Sequence, residues 1–165
     1  MGAIGGGQNH DPSRVGLVTP IFREKRTVER EKTVRKVLAE RGLPAPTIIP
    51  GDFTYDTAYR ETVNLFRVGD GVDAIFAAND VGAFGVIDAL RHELGRRVPQ
   101  DVQVVGFDDI LQAHWKSYNL TTVKIDLGER VQALLRLILA RLRNPSGPPL
   151  TETIGTRLVV RGTVG

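Results

Sequence analysis

The stretch "DAIFAANDVGAFGVIDALRHELG", residues 73–95, decides the fold. An apolar run of strand character ends abruptly in Ala-Asn-Asp and turns at once into a helical pattern that closes at Gly95. A buried strand feeding directly into a helix is half of a βαβ unit, and the same alternation recurs on both sides. "RVGLV" (14–18), "TIIP" (47–50), "VQVVGF" (102–107) and "LTTVKI" (120–125) are further strand candidates. Between them the periodicity predicts helices near 24–41, 55–68 and 126–143, the first stopped by Gly42. A late strand follows in "ETIGTRLVVRG" after the "NPSGPP" break. Strands apolar on both faces and joined by crossover helices predict a three-layer α/β fold. Its sheet is doubly wound and mostly parallel, with helices on both faces.

That architecture locates the chemistry, because ligands of open α/β sheets sit beyond the carboxyl ends of the strands. The positions to read are the loop before Arg30, "GDF" (51–53), Asn79-Asp80 and Asp108-Asp109. Asp80 reads as a helix cap. Asn79 offers both a donor and an acceptor, suited equally to a turn or to a ligand hydroxyl. Of the two adjacent aspartates, one is expected to face the crevice and the other to cap a short helix near 109–116. Phe53 could stack on a sugar or base, or simply pack. Arg30, inside "REKRTVEREK" (23–32), reads by composition as a solvated helix residue.

Composition narrows the alternatives. With 165 residues the chain suits one domain, 41% hydrophobic content is that of a soluble globular protein, and a net charge of +3 permits nucleic-acid contact without demanding it. Zero cysteines exclude disulfides, thiol nucleophiles and zinc ribbons, and a cytoplasmic location is the default expectation. No apolar run approaches the roughly 20 residues of a membrane span. Residues 1–13 read as a flexible leader rather than a secretion signal. The three serines, Ser13, Ser117 and Ser146, lack a nucleophile elbow, and His10, His92 and His114 lack metal-ligand spacing. "GGG" at 5–7 opens no dinucleotide-binding turn. Neither an enzyme nor a metal or other cofactor is expected.

Several motifs occur in one order: "GDFTYDTAY" (51–59), "AAND" (77–80), "VPQDVQVVGFDD" (98–109), "LTTV" (120–123) and "TRLVVRGTV" (156–164). On these the chain, over roughly 14–165, resembles the lactose-repressor/galactose-repressor family of bacterial transcription regulators. The resemblance implies an effector-binding core like that of periplasmic sugar-binding proteins, and this chain is similar to its distal part only. Residues 14–124 and 151–165 would form the distal lobe, and 125–150 would carry a helix of the first lobe. It further implies that Arg30, Phe53, Asn79 and Asp108 contact a sugar-like or nucleoside-like effector. Leu127 falls where the family often has a pocket aromatic, and "REKTV" (30–34) stands where Gly-Phe usually follows the arginine.

A homodimer is implied, with Phe84, Trp115 and Tyr118 at its interface or else in the core. Operator DNA would be read only through an N-terminal head that this chain does not resemble, and effector binding by this part alone should be weak or absent. Leu127, Val131, Leu134, Leu135, Ile138 and Leu142 recur as one apolar stripe. A second copy, domain exchange or the chain's own sheet is expected to cover it. A lobe of a periplasmic sugar-binding protein, and more distantly a small α/β enzyme, are the alternatives.

Overall fold

The structure, a computed structural model, describes residues 13–20, 25–69 and 71–165. Residues 1–12 of the expected leader, with His10 and the glycines at 5–7, and the first part of the loop before Arg30 lie outside the described residues.

The chain alternates as the hydrophobic pattern dictates. Strand β1 (Val15–Pro20) leads to helix α1 (Lys25–Glu40), β2 (Thr47–Gly51) to α2 (Tyr55–Val68), and β3 (Ala74–Ala77) to α3 (Asp80–Asp88). A turn of π-helix (Ala89–Glu93) extends α3 before β4 (Gln103–Phe107). A short 3-10 turn (Leu111–His114), β5 (Thr121–Ile125), α4 (Leu127–Arg143) and β6 (Thr156–Val159) complete it. Gly42, at φ 70°, supplies the left-handed residue that stops α1.

The six strands form one sheet in the order β2-β1-β3-β4-β5-β6, parallel throughout except for β6, which runs antiparallel to β5. This is the doubly wound, mostly parallel sheet that the sequence predicts. Winding reverses between β1 and β3, so right-handed crossovers put α1 on one face and α2 with α3 on the other. The central strands bury Ile75 and Val104, each at most 1% exposed, against Ile87 and Leu90 of the α3 segment. Parallel order also puts every β-to-α turn at one end of the sheet, and the reversal opens a crevice there.

The chain's end is stitched into the sheet's far side. Val104 N donates to the Thr163 carbonyl at 2.9 Å, Thr163 Oγ1 donates to the Val104 carbonyl at 2.6 Å, and Thr121 N donates to Thr163 Oγ1 at 2.9 Å. These bonds give the "RGT" motif a physical role.

Helix α4 is placed where the periodicity predicts, but its apolar stripe is not laid on the chain's own sheet. Leu127, Leu134, Leu135 and Leu142 are 53–72% exposed, and Ala133 is the helix's one buried residue. Of the three covers expected for the stripe, the chain's own sheet is thus ruled out.

Candidate functional site

At the switch point, the carboxyl ends of β1, β2 and β3 converge on a small hollow lined by residues including Thr19, Pro20, Gly51, Phe53, Ala78 and Asn79. It has room for about one water molecule, so a ligand of any size must lie above it, with these residues as a floor.

Four of the five expected ligand contacts gather at this end of the sheet. Phe53, at φ 68° and 40% exposed, occupies the left-handed turn between β2 and α2. Asn79 caps α3, its Oδ1 accepting from Gly82 N at 3.1 Å, and its Nδ2 donates to the Phe53 carbonyl at 2.9 Å. One amide therefore sews two loops together while leaving one N–H unspent by these bonds. Asn79→Ala should cost about 1–2 kcal/mol of stability, the size of a lost cap and loop bond, measured by urea unfolding.

Arg30 reaches over from α1. Its Nη1 donates to the Ala78 carbonyl at 2.7 Å, and its guanidinium carbon stands 3.8 Å from the centroid of the Phe107 ring. Cation–π contact and the carbonyl bond together orient it at the strand ends, contrary to the solvated role that composition suggests.

Asp108 follows β4 with φ 122°, a backbone conformation that non-glycine residues rarely adopt. Its amide donates to the Val123 carbonyl at 2.9 Å, but its carboxylate accepts no hydrogen bond among the described residues. Burial, and next the nearby Asp80 charge, raise its pKa above the ordinary carboxylate value, against the pull of Arg30 and Arg130. Arg130, in the first turns of α4, is a member of this neighbourhood that sequence reasoning missed. Leu127 opens α4 and is 72% exposed; none of the site's hydrogen bonds involves it.

Two local expectations are corrected. Asp80 is not the cap: Asn79 performs that role, and Asp80 is wholly buried. Its Oδ1 accepts from Thr122 Oγ1 at 2.5 Å and its Oδ2 from Ile110 N at 2.9 Å. Burial pushes its pKa up, the two bonds pulling the other way. Nor does Asp109 cap the short helix, which has no side-chain cap. Its side chain, 2% exposed, is held by Arg161 Nη2 at 2.5 Å and Lys124 Nζ at 2.9 Å. Both errors have one cause: the partners stand 15 to 52 residues away, beyond any local pattern.

Away from the crevice, Phe84 is 6% exposed and stacks on Tyr118, ring centroids 4.1 Å apart, while Trp115 is half exposed. The Tyr118 hydroxyl shares Asp88 Oδ2 with the Tyr55 hydroxyl, at 3.0 and 2.8 Å. Among the described residues no cluster of acidic and histidine side chains could hold a metal ion, and no helix is long and apolar enough to cross a membrane.

A parallel sheet with polar residues at its switch point defines a ligand-binding class, and comparison with known proteins names it. The family profile of the periplasmic binding protein-like domain matches residues 10–164. The HTH-type transcriptional regulator CelR of Thermobifida fusca is 34% identical over 136 residues, covering 81% of this chain and 40% of that protein. The ribose operon repressor of Halalkalibacterium halodurans is 32% identical over 135 residues, 82% of this chain and 40% of the repressor. Among solved structures, a CelR–cellobiose complex superposes with a TM-score of 0.83 at 30% identity, over 92% of this chain and 47% of that one. A sugar-binding LacI-family regulator from Escherichia coli, complexed with phosphate, gives 0.80 at 27%, over 93% and 55%. The chain belongs to the lactose-repressor/galactose-repressor family, in the periplasmic-binding-protein-like part of its regulators. It spans about 40% of the length of these curated relatives.

Proposed function

We propose that this chain is the effector-binding and dimerisation portion of a cytoplasmic bacterial transcription regulator, acting by binding rather than catalysis. The observation that carries the reading is Asp108: a carboxylate held in a rare backbone conformation at the strand ends, beside Arg30, with no hydrogen bond from the described residues. A carboxylate so placed accepts two hydroxyls of one ligand. With the Arg30 guanidinium, the Asn79 amide and the half-exposed Phe53 ring, it suits a polyhydroxylated small molecule, a sugar or a nucleoside. The CelR–cellobiose complex and the ribose operon repressor support that class.

In this reading the crevice is one wall of a cleft. Residues 14–124 and 151–165 form that wall, and 125–150, with the stripe of α4, belong to a first lobe opposite. Effector filling the cleft would favour one lobe arrangement over another, and that difference in contact energy would reach an operator-binding head in a dimer. Trp115 and the neighbouring Leu111, 51% and 75% exposed, mark the surface on which a second copy would pack, over Tyr118 and Phe84.

The test is an amide NMR titration of the chain with cellobiose, D-ribose and inosine. Weak binding by at least one probe should shift Asn79, Phe53 and Asp108, and Asp108→Asn should weaken it about 10- to 100-fold, the worth of a charge-assisted hydrogen bond. Equal binding by Asp108→Asn, or shifts confined to other parts of the molecule, would sink the proposal. Tight calorimetric binding by the chain alone would sink its half-cleft component.

A further inference from the structure

The turn bearing Asp108 does not hold itself. Asp108 at φ 122° and Asp109 at φ 56° are consecutive non-glycine residues in the left-handed region. Such a conformation is costly and persists only where the surroundings enforce it. Two restraints do so from opposite sides, and neither touches the Asp108 carboxylate.

The first comes from α3. Asp80, wholly buried, accepts from Ile110 N at 2.9 Å and also from the Asp109 amide, while Thr122 Oγ1 at 2.5 Å fixes its other oxygen to β5. Gly106 makes room for it: a Cβ there would lie 2.3 Å from Asp80 Oδ1. The second comes from the end of the chain. Arg161 Nη2 holds Asp109 Oδ1 at 2.5 Å, its Nη1 donates to the Leu120 carbonyl at 2.6 Å, and its own amide donates to Thr121 Oγ1 at 2.8 Å. The backbone after Asp108 is thus pinned from α3, and the side chain of Asp109 from beyond β6. What remains determined by these two anchors is the direction in which Asp108 points.

We infer that Asp80 and Arg161 are positioning residues for effector recognition, aiming the Asp108 carboxylate into the crevice without contacting the effector. The inference rests on the effector role proposed for Asp108. It assigns a function to two residues, 81 positions apart in sequence, of which Asp80 reads from sequence as a helix cap and Arg161 carries no sequence signal of its own.

The experiment uses the full chain, isotopically labelled, with Asp80→Asn and Arg161→Lys as separate variants. The amide group of Asp80→Asn keeps the shape but has a single acceptor oxygen for three donors. Arg161→Lys keeps the charge but cannot span Leu120 and Asp109 together. The first readout needs no effector: the three-bond HN–Hα coupling of Asp108, small at φ near 122°, should rise toward values of negative φ in each variant. Core amide shifts should stay in place. The second is affinity for cellobiose, D-ribose or inosine, which should fall about 10- to 100-fold, to the level of Asp108→Asn.

An unchanged Asp108 coupling and unchanged affinity in both variants overturn the inference and leave the effector reading standing. Absence of any probe response at Asp108 in the unmodified chain overturns the effector reading instead, and the inference with it, whatever the couplings show. Should Asp80→Asn fail to fold, Arg161→Lys decides alone, since it acts from the other side with charge retained.

Discussion

Replacing Arg161 by methionine is expected to destabilise the protein by about 3 kcal/mol, the low end of what removing one partner from a buried ion pair costs. Asp109 is 2% exposed and Arg161 11% exposed in their side chains, so the pair is shielded from water. Methionine roughly preserves the stem's packing while leaving the Asp109 charge with Lys124 at 2.9 Å as its closest remaining cation. That residual pairing is why the low end applies. The Leu120 carbonyl loses its donor as well. Urea unfolding measures the change as a lower midpoint at constant slope. The double variant with Asp109→Asn should recover much of the loss, because the orphaned charge, more than the missing contact, is the costly element.

The pH dependence of that difference has a definite sign. Burial alone would raise the Asp109 pKa, but the bonds from Arg161 and Lys124 outweigh it and hold the carboxyl below its ordinary range. A folded pKa below the unfolded value of about 3.9 contributes stability that is complete above that pH and is lost as pH falls through the folded value. The gap between the unmodified protein and Arg161→Met should therefore be widest near neutrality and narrow below about pH 4. A gap that widened on acidification would contradict the ion-pair account.

The Asp109 pair also shows where sequence reading stops. Strand ends were legible because burial on both faces writes itself into continuous apolar runs: "DAIFAA" had to end where Asn79 begins. Helix stops were legible because only a left-handed residue ends α1, and Gly42 is one. The gathering of Arg30, Phe53, Asn79 and Asp108 at one end of the sheet follows from topology plus the order of motifs. The division of labour between neighbours does not. Asn79 and Asp80 are both good caps, and only Thr122, 42 residues on, decides that Asp80 is buried. Asp108 and Asp109 look alike in sequence, and Arg161, 52 residues beyond Asp109, decides which of them is spent internally. Arg130 and Phe107 join the site through packing of helices and strands whose relative placement no local pattern encodes.

Gly85→Ala is the second large effect expected, about 2–3 kcal/mol, from overpacking at a contact between backbones. Helices α2 and α3 cross on the same face of the sheet, and Gly85 lies where they come closest. A Cβ at that position would stand 2.3 Å from the Tyr55 carbonyl oxygen and 3.0 Å from the Tyr59 nitrogen. Both obstacles are main chain, so no rotamer change relieves them and the helices must separate. Intrinsic helix propensity acts in the opposite direction, favouring alanine by up to about 1 kcal/mol, and the steric term wins because close-packed interiors resist displacements of this size. Separation would also strain the Tyr55 hydroxyl bond to Asp88, which Tyr118 shares. Calorimetry should show a melting temperature about 4–12 °C lower, taking 2–4 °C per kcal/mol for a chain of this size. A melting temperature unchanged or raised would mean that α2 and α3 do not pack through Gly85 in solution. Because Gly85 lies within about two helical turns of Asn79, the same variant should also disturb the amide signals of Phe53 and Asn79, linking the fit of two helices to the geometry of the crevice floor.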